Sequence, residues 1–113
     1  MRKIKTLKKN YEFQNVLSKG KFYIGKQITI YITRNKLDSN VIGIAISTKT
    51  CNAVKRNHIK RLIRENYRLM KNDLEVGNNI VFLWNKKDSV KNANFYIIRE
   101  DMKNLLKKAN LLS

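Results

Sequence analysis

The side chains best suited to chemistry in this chain are the basic ones between residues 52 and 71. If this stretch is a helix, about 100° per residue places its cations within an arc of roughly 140°. These cations are Arg56, Lys60, Arg61, Arg64, Arg68 and Lys71. The apolar residues fall in a separate arc: Ile59, Leu62, Ile63, Tyr67, Leu69 and Met70. One face can therefore pack on a core while the other attracts a polyanion, for which nucleic acid is the usual candidate.

Composition supports one folded domain over residues 1–113 with a strongly positive surface. The chain has 25 Lys and Arg against 8 Asp and Glu, a formal net charge of +17, and 42% hydrophobic residues. That apolar fraction suffices for a core, so the charge does not indicate disorder. No apolar run reaches transmembrane length and the N-terminus lacks a signal-peptide pattern. We therefore expect a cytoplasmic protein with no membrane association.

Catalytic chemistry has few candidates in this sequence. The close acidic pairs are Asp73 with Glu75 and Glu100 with Asp101, and near neighbours on a helix do not converge on one point. A two-metal nuclease site needs several carboxylates around one cavity. A single cysteine and a single histidine exclude an internal disulfide and a zinc cluster. We expect no catalytic residue on the protein and no metal site of its own.

The hydrophobic pattern predicts an α+β domain with the element order α-β-β-β-α-β-α. Helical spacing and strand alternation place helices near 10–20, 54–71 and 92–110, and strands near 22–24, 27–34, 41–47 and 80–84. We expect helices packed on a central four-stranded sheet. Residues 1–9 are basic and are predicted to form a flexible arm.

The two faces of the predicted sheet differ in character. Isoleucines line one face of strands 27–34 and 41–47, and that face should pack under the long helices. The opposite face combines Tyr31 with small residues such as Ala45, and such a surface can accept an RNA strand with the ring available for stacking. Alternatively, the first helix covers this face with Phe13 and Leu17. Both descriptions hold if the helix covers one edge and leaves a cleft.

The segment from Lys55 to Arg64, KRNHIKRLIR, resembles the RNR signature of the bacterial ribonuclease P protein subunit. Residues 42–47 and 52–54 resemble the lead-in of that family, and residues 7–17 resemble its opening helix. The similarity covers most of the chain, and the signature at 52–64 is its most specific part.

The resemblance implies a role in removing the 5′ leader of precursor tRNA. In that family a large RNA holds the Mg²⁺ ions and catalyses the hydrolysis, while the protein binds the catalytic RNA and the precursor tRNA leader. No obligate protein partner is implied. The matching positions on the catalytic RNA would be Asn52, Lys55, Arg56, Asn57, His58, Lys60, Arg61, Arg64 and Arg68. Those of the leader cleft would be Phe13, Leu17, Tyr31 and Ala45. The family fold also implies a left-handed βαβ crossover.

The chain departs from the family pattern at three positions. His58 stands where arginine is usual, Cys51 where glycine is common, and Leu17 where an aromatic is more frequent. His58 therefore replaces a fixed charge with a pH-dependent one. Cys51 puts a special backbone conformation in doubt, and Leu17 cannot provide a stacking contact.

Other functions are compatible with the composition. A ribosomal-type RNA-binding protein or RNA chaperone would share the charge and the fold class, and only the 52–64 motif argues against it. A DNA-binding regulator is disfavoured because no short helix and tight turn precede the basic helix. A self-sufficient nuclease is disfavoured by the shortage of carboxylates.

Overall fold

The helices and strands follow the order that the hydrophobic pattern predicts, with one added strand. The structure is a computed structural model and describes residues 4–49, 51–85 and 90–112. Its elements are β1 (Lys5–Thr6), α1 (Asn10–Lys19), β2 (Lys21–Ile24), β3 (Ile28–Arg34), β4 (Val41–Ala45), α2 (Ala53–Met70), β5 (Asn78–Trp84) and α3 (Phe95–Lys108). Short 3-10 turns cover Lys71–Asp73 and Val90–Asn92. The predicted α+β class is confirmed.

The strands form one mixed sheet in the order β1-β4-β5-β3-β2. β4 pairs with β5 in parallel, whereas β3 pairs with both β5 and β2 in antiparallel fashion. Parallel neighbours need a long connection, and α2 provides it. The left-handed sense of this crossover, implied by the family resemblance, stays a prediction.

The fifth strand lies in the arm that the sequence predicted to be flexible. Lys5 and Thr6 pair in parallel with the start of β4, and the Leu7 amide donates to the Ile42 carbonyl at 2.8 Å. The side chains of both strand residues are exposed, so no hydrophobic alternation marks the strand. The sequence did not predict this pairing, and the flexibility of the arm stays a prediction. The first three residues of the arm lie outside the described residues.

The isoleucine face of the sheet carries the main core. α2 and α3 cover it, and the fully buried side chains include Ile28, Ile30, Ile42, Ile59, Ile63, Ile80, Phe82, Ile98, Met102, Leu105 and Leu106. Burying each such side chain contributes about 1.5–3 kcal/mol of transfer free energy. One member of the apolar arc predicted for α2 does not join this core, because Leu69 is 65% exposed.

α1 covers the opposite face of the sheet. Val16 and Val81 are fully buried there, and Phe13, Leu17 and Tyr31 pack partly buried against them. The first turn of α1 is secured by Glu12, whose carboxylate accepts hydrogen bonds from the backbone amides of Lys8 and Lys9 at 3.1 and 2.9 Å. These amide donors lower the pKa of Glu12 because they stabilise its charged form.

Asp101 of α3 ties the hairpin between β2 and β3 to the helix layer. Its buried carboxylate accepts hydrogen bonds from the backbone amides of Lys26, Gln27 and Ile28 at 3.1, 2.5 and 3.0 Å. A Cβ at Gly25 would lie only 2.8 Å from the Asp101 carboxyl carbon, so the close approach requires glycine. A single carboxylate thus accepts the hydrogen bonds of three backbone amides in the turn between β2 and β3.

We expect Asp101→Asn to lower the free energy of unfolding by about 1.5–3 kcal/mol, because an amide cannot accept all of these backbone hydrogen bonds and loses the charge assistance. Urea denaturation at neutral pH measures the change. Glu100→Gln is the matched control, since Glu100 is the exposed neighbour on the same helix. Equal stability of the two variants would contradict this role for Asp101.

Candidate nucleic-acid interface

The basic helix α2 begins at an asparagine cap. The Asn52 Oδ1 atom accepts a hydrogen bond from the Lys55 amide at 3.0 Å, and the Asn52 carbonyl accepts from the Arg56 amide at 3.0 Å. Capping satisfies an amide that the first helical turn would otherwise leave without a partner. Asn52, which the resemblance assigns to RNA contact, therefore has a structural role as well as an exposed position.

The buried side of α2 sets the direction of its charges. Ile59, Ile63, Asn66, Tyr67 and Met70 are buried in the core. Next to them around the helix lies a shallow depression of about 310 Å³, which we call the basic face. Its lining residues are Asn57, Lys60, Arg61, Arg64 and Glu65. The structure thus brings together four of the residues predicted to bind RNA, and three of them are cationic.

Two further predicted cations already have protein partners. The Arg56 guanidinium donates from Nη1 to the Cys51 carbonyl at 2.7 Å, which holds this half-buried side chain against the start of α2. Arg68 forms a 2.8 Å salt bridge with Glu65, and both side chains are about half exposed. Such exposed pairs contribute little stability. A guanidinium has five donors, so both arginines keep donors for a further acceptor.

The remaining two predicted positions on α2 lie off the basic face. Lys55 and His58 are exposed. At 100° per residue, His58 lies roughly 60° from Arg61 and roughly 120° from Arg64 around the helix axis. The arc from Lys60 to Glu65 itself spans roughly 140°, and His58 lies roughly 20° beyond Glu65, at the border of the basic face.

Tyr67 lies on the buried side of α2. Burial raises the pKa of its hydroxyl, and a hydrogen bond with the Asn40 side chain partly opposes that shift. Asn66, also buried, donates from Nδ2 to the carbonyls of Leu62 and Phe95 at 3.0 and 3.2 Å. These polar contacts join α2 to the rest of the fold and leave the basic face available.

The predicted leader cleft lies on the α1 side of the sheet. Gly43 lies directly under Phe13, since a Cβ there would approach the Phe13 ring to 2.5 Å. Phe13 and Leu17 are half-buried and rest on the sheet, so α1 does cover part of this face. Tyr31 and Ala45 keep partial exposure beside it. α1 therefore covers the middle of the face and leaves a surface along its side, and RNA binding to that surface stays a prediction.

Strand register extends this surface beyond the residues that the sequence indicated. Ala45 pairs with Leu83, and Leu83 pairs with Thr29 on the other side of β5, so all three lie in one row on the α1 side. Leu83 was missed because the run 80–84 was interpreted as a strand buried on both faces. Alternation with Phe82 and Trp84 gives the face on which Leu83 lies, but Val81 on that face is fully buried, so the partial exposure of Leu83 depends on where α1 lies.

A cavity of about 330 Å³ connects the two candidate surfaces. Lys60 of α2 lines it together with the Ala45 end of β4 and the Leu83–Trp84 end of β5. The basic face and the sheet surface therefore meet at Lys60. Sequence spacing gave no sign of this contact because it joins residues far apart in the chain.

Among residues 4–49, 51–85 and 90–112, no group of three or more His, Cys, Asp and Glu side chains could hold a metal ion. Within the same ranges, no helix has the length and apolarity needed to cross a bilayer.

A mixed sheet with a basic crossover helix and an adjoining cleft defines a small RNA-binding domain. The ribonuclease P family profile matches residues 1–110. The ribonuclease P protein component of Clostridioides difficile is 39% identical over 108 residues, covering 95% of this chain and 93% of the relative. That of Clostridium botulinum is 36% identical over 106 residues, covering 93% and 94%.

Solved structures agree with the sequence relatives. The Staphylococcus aureus RNase P protein superposes with a TM-score of 0.84 at 32% identity, covering 98% of this chain and all of that one. The Thermotoga maritima protein gives 0.82 at 29% identity, covering 95% and 97%. The chain belongs to the ribonuclease P protein family. As such it is the protein component of a ribonucleoprotein endoribonuclease whose RNA performs the catalysis, and that RNA is its partner. The resemblance stated from the sequence is confirmed.

We expect Asn52→Ala to destabilise the protein by about 0.5–2 kcal/mol through loss of the α2 cap. Asn52→Ser is the matched control, because serine also caps helices but lacks the amide. Thermal unfolding measures stability, and binding to the RNase P RNA measures the interface. If serine restores both, Asn52 acts through the cap; if it restores stability but not binding, the amide itself contacts RNA.

Proposed function

We propose that the basic face of α2 binds the RNase P RNA, and that the cleft beside α1 binds the 5′ leader of precursor tRNA. The single observation that carries this proposal is the meeting of both surfaces at Lys60. An RNA strand that leaves the phosphate-binding basic face at Lys60 would pass over a junction lined by Ser47 and apolar side chains, with no acidic side chain among its lining residues.

The electrostatics of α2 support binding to the catalytic RNA. Asn57, Arg61 and Arg64 are exposed with Lys60 half-buried between them, and this cluster faces away from the core. Arginine forks bind phosphate oxygens in a bidentate manner, and the rigid helix holds them at fixed spacing. Arg56 and Arg68 would add contacts at the two ends of the cluster, where their present hydrogen bonds already orient them. Lys55, Asn52 and His58 would contact RNA from the flank of the helix.

The shape of the cleft supports binding to an extended single strand. Its floor consists of half-exposed side chains of modest size, with Tyr31 as the aromatic and Phe13 and Leu17 forming the wall on α1. Single-stranded RNA is commonly held by stacking on aromatic side chains along a sheet. Binding the leader would favour precursor over mature tRNA, because only the precursor carries that segment.

The proposal leaves the divalent ions with the RNA. Mg²⁺ keeps several waters and prefers phosphate and carboxylate oxygens, whereas the basic face offers cationic and amide groups and a single carboxylate, Glu65, which pairs with Arg68. The protein would act by neutralising phosphates near the ion sites, which lowers the Mg²⁺ concentration that the folded RNA needs. The proposal retains the cytoplasmic location expected from the sequence.

We expect Arg61→Ala and Arg64→Ala each to weaken binding to the RNase P RNA by about 1–3 kcal/mol, because each removes charge-assisted hydrogen bonds to phosphate. Lys107→Ala on α3 is the control, since it removes an exposed cation elsewhere. Binding is measured by titration at several salt concentrations. Contacts to about six phosphates predict a log–log slope near −4, and each arginine variant should reduce its magnitude.

The functional assay is cleavage of precursor tRNA by the RNA with and without this chain at low Mg²⁺. Wild-type protein should support cleavage, and the double variant Arg61→Ala/Arg64→Ala should require more Mg²⁺. A chain that binds the RNA but never lowers the Mg²⁺ requirement would contradict the proposal.

We expect Tyr31→Ala to weaken precursor binding by the holoenzyme by about 1–3 kcal/mol, the range for loss of one base–aromatic stack. Binding of mature tRNA should not change, because it has no leader. Tyr31→Phe is the control that keeps the ring. Equal losses for precursor and mature tRNA would show that Tyr31 does not act on the leader.

A further inference from the structure

The outermost strand β2 carries two large apolar side chains on the same side as the proposed leader cleft. Phe22 pairs with Tyr31 and Ile24 pairs with Thr29, so both β2 side chains share the face of their β3 partners. Phe22 is 57% exposed and Ile24 is 64% exposed. Neither belongs to either hydrophobic cluster of the protein. Contiguous exposed apolar surface, unlike a single exposed side chain, is a feature of interaction sites.

The rings of Phe22 and Tyr31 form a tilted pair, with centroids 5.5 Å apart and planes 31° from parallel. This arrangement restrains the exposed Phe22 ring and makes it continuous with the cleft floor. Tyr31 is one of the residues that the proposed function assigns to the leader. The aromatic surface therefore does not end at Tyr31 but continues one strand further.

The charges around this patch favour a nucleic acid over a protein as its occupant. Exposed lysines flank the two ends of β2: Lys19 is the last residue of α1, and Lys26 lies in the turn after β2. Strand register places Lys21 on the opposite face with Ile32. A patch with rings at its centre and ammonium groups around it matches the base and phosphate pattern of single-stranded RNA. Lysines on an edge strand also disfavour pairing with a second protein strand.

The order of residues along the cleft predicts which part of the leader reaches β2. The Ala45 end meets Lys60 of the basic face, whereas β2 lies three strand spacings away across β5 and β3. At about 4.8 Å per spacing, that distance is roughly 14 Å. A stacked strand advances about 3.4 Å per nucleotide, so it needs about four nucleotides to cross. Phe22 would contact a leader nucleotide farther from the basic face than the one at Tyr31.

We infer that Phe22, with Ile24 beside it, forms a second stacking site of the cleft and binds a base in the distal part of the precursor tRNA leader. This inference rests on the proposed function and deepens it, because it makes the affinity of the holoenzyme for precursor tRNA depend on leader length. The site lies one strand beyond Tyr31, about one or two stacked nucleotides further along the leader.

The test measures binding of precursor tRNAs with leaders of increasing length to the reconstituted holoenzyme. Phe22→Ala should weaken binding of long-leader precursors by about 5- to 20-fold, the lower part of the range for one base–aromatic stack. It should have no effect on mature tRNA or on the shortest leaders. Its effect should begin at a leader about one or two nucleotides longer than the effect of Tyr31→Ala. Phe22→Trp should retain tight binding.

Tyr96→Ala is the matched control, because Tyr96 is a similarly exposed aromatic on α3. Circular dichroism and RNA-subunit binding check that each variant is folded and assembled. Unchanged binding of Phe22→Ala at every leader length would overturn the inference. So would sedimentation showing that the wild-type chain self-associates through Phe22 at assay concentrations.

The outcomes separate the two proposals. If Tyr31→Ala weakens long-leader binding while Phe22→Ala does not, leader binding in the cleft is supported and the proposed stacking site at Phe22 is wrong. If neither variant affects precursor binding although the Arg61 and Arg64 variants weaken assembly, the leader cleft itself is wrong and the inference fails with it.

Discussion

The parallel pairing of β4 with β5 is the constraint on which the rest of the structure depends. Two parallel neighbours cannot be joined by a tight turn, so the chain must cross over the sheet, and α2 is that crossover. The helix must then bury one side against the isoleucine face. Its inner side chains include Ile59, Ile63 and Met70, and Arg61 and Arg64 are exposed on the other side. The sequence spacing sets the cationic arc, and the crossover decides which way that arc faces.

The strongly positive charge of the chain is tolerated because it lies outside a complete apolar core. The net charge of +17 creates self-repulsion that an RNA partner can relieve. On α2, Arg68 forms an exposed ion pair with Glu65, and Arg56 donates a hydrogen bond to a backbone carbonyl. Buried polar groups instead form hydrogen bonds within the fold, as the Asp101 carboxylate does with the backbone amides of the β2–β3 hairpin. Stability therefore depends on the core, and the exposed Arg61 and Arg64 side chains of the basic face are available for binding.

The opposite face of the sheet is only partly covered because α1 is short. Its ten residues cover Gly43 and Val81 but do not reach across β2. The uncovered area begins beside Lys60 and ends at Phe22, so the basic face and the aromatic surface are connected. A first helix that extended over this area would bury it and close the proposed cleft.

Much of this could be predicted from local pattern alone. The element order, the isoleucine face and the cationic arc follow from periodicities of two and 3.6 residues, which are properties of the sequence itself. The RNR motif identified the family because it combines charge with specific spacing. These features needed no knowledge of which strands are neighbours.

Tertiary structure alone decided the rest. It paired Lys5 and Thr6 with β4, left Leu69 outside the core, turned Arg56 toward Cys51, and brought Lys60 to the end of the cleft. It also aligned Ala45, Leu83 and Thr29 in one row and set Phe22 beside Tyr31. The physical reason is that strand register and helix placement depend on contacts between distant parts of the chain, which a local pattern of residues does not encode.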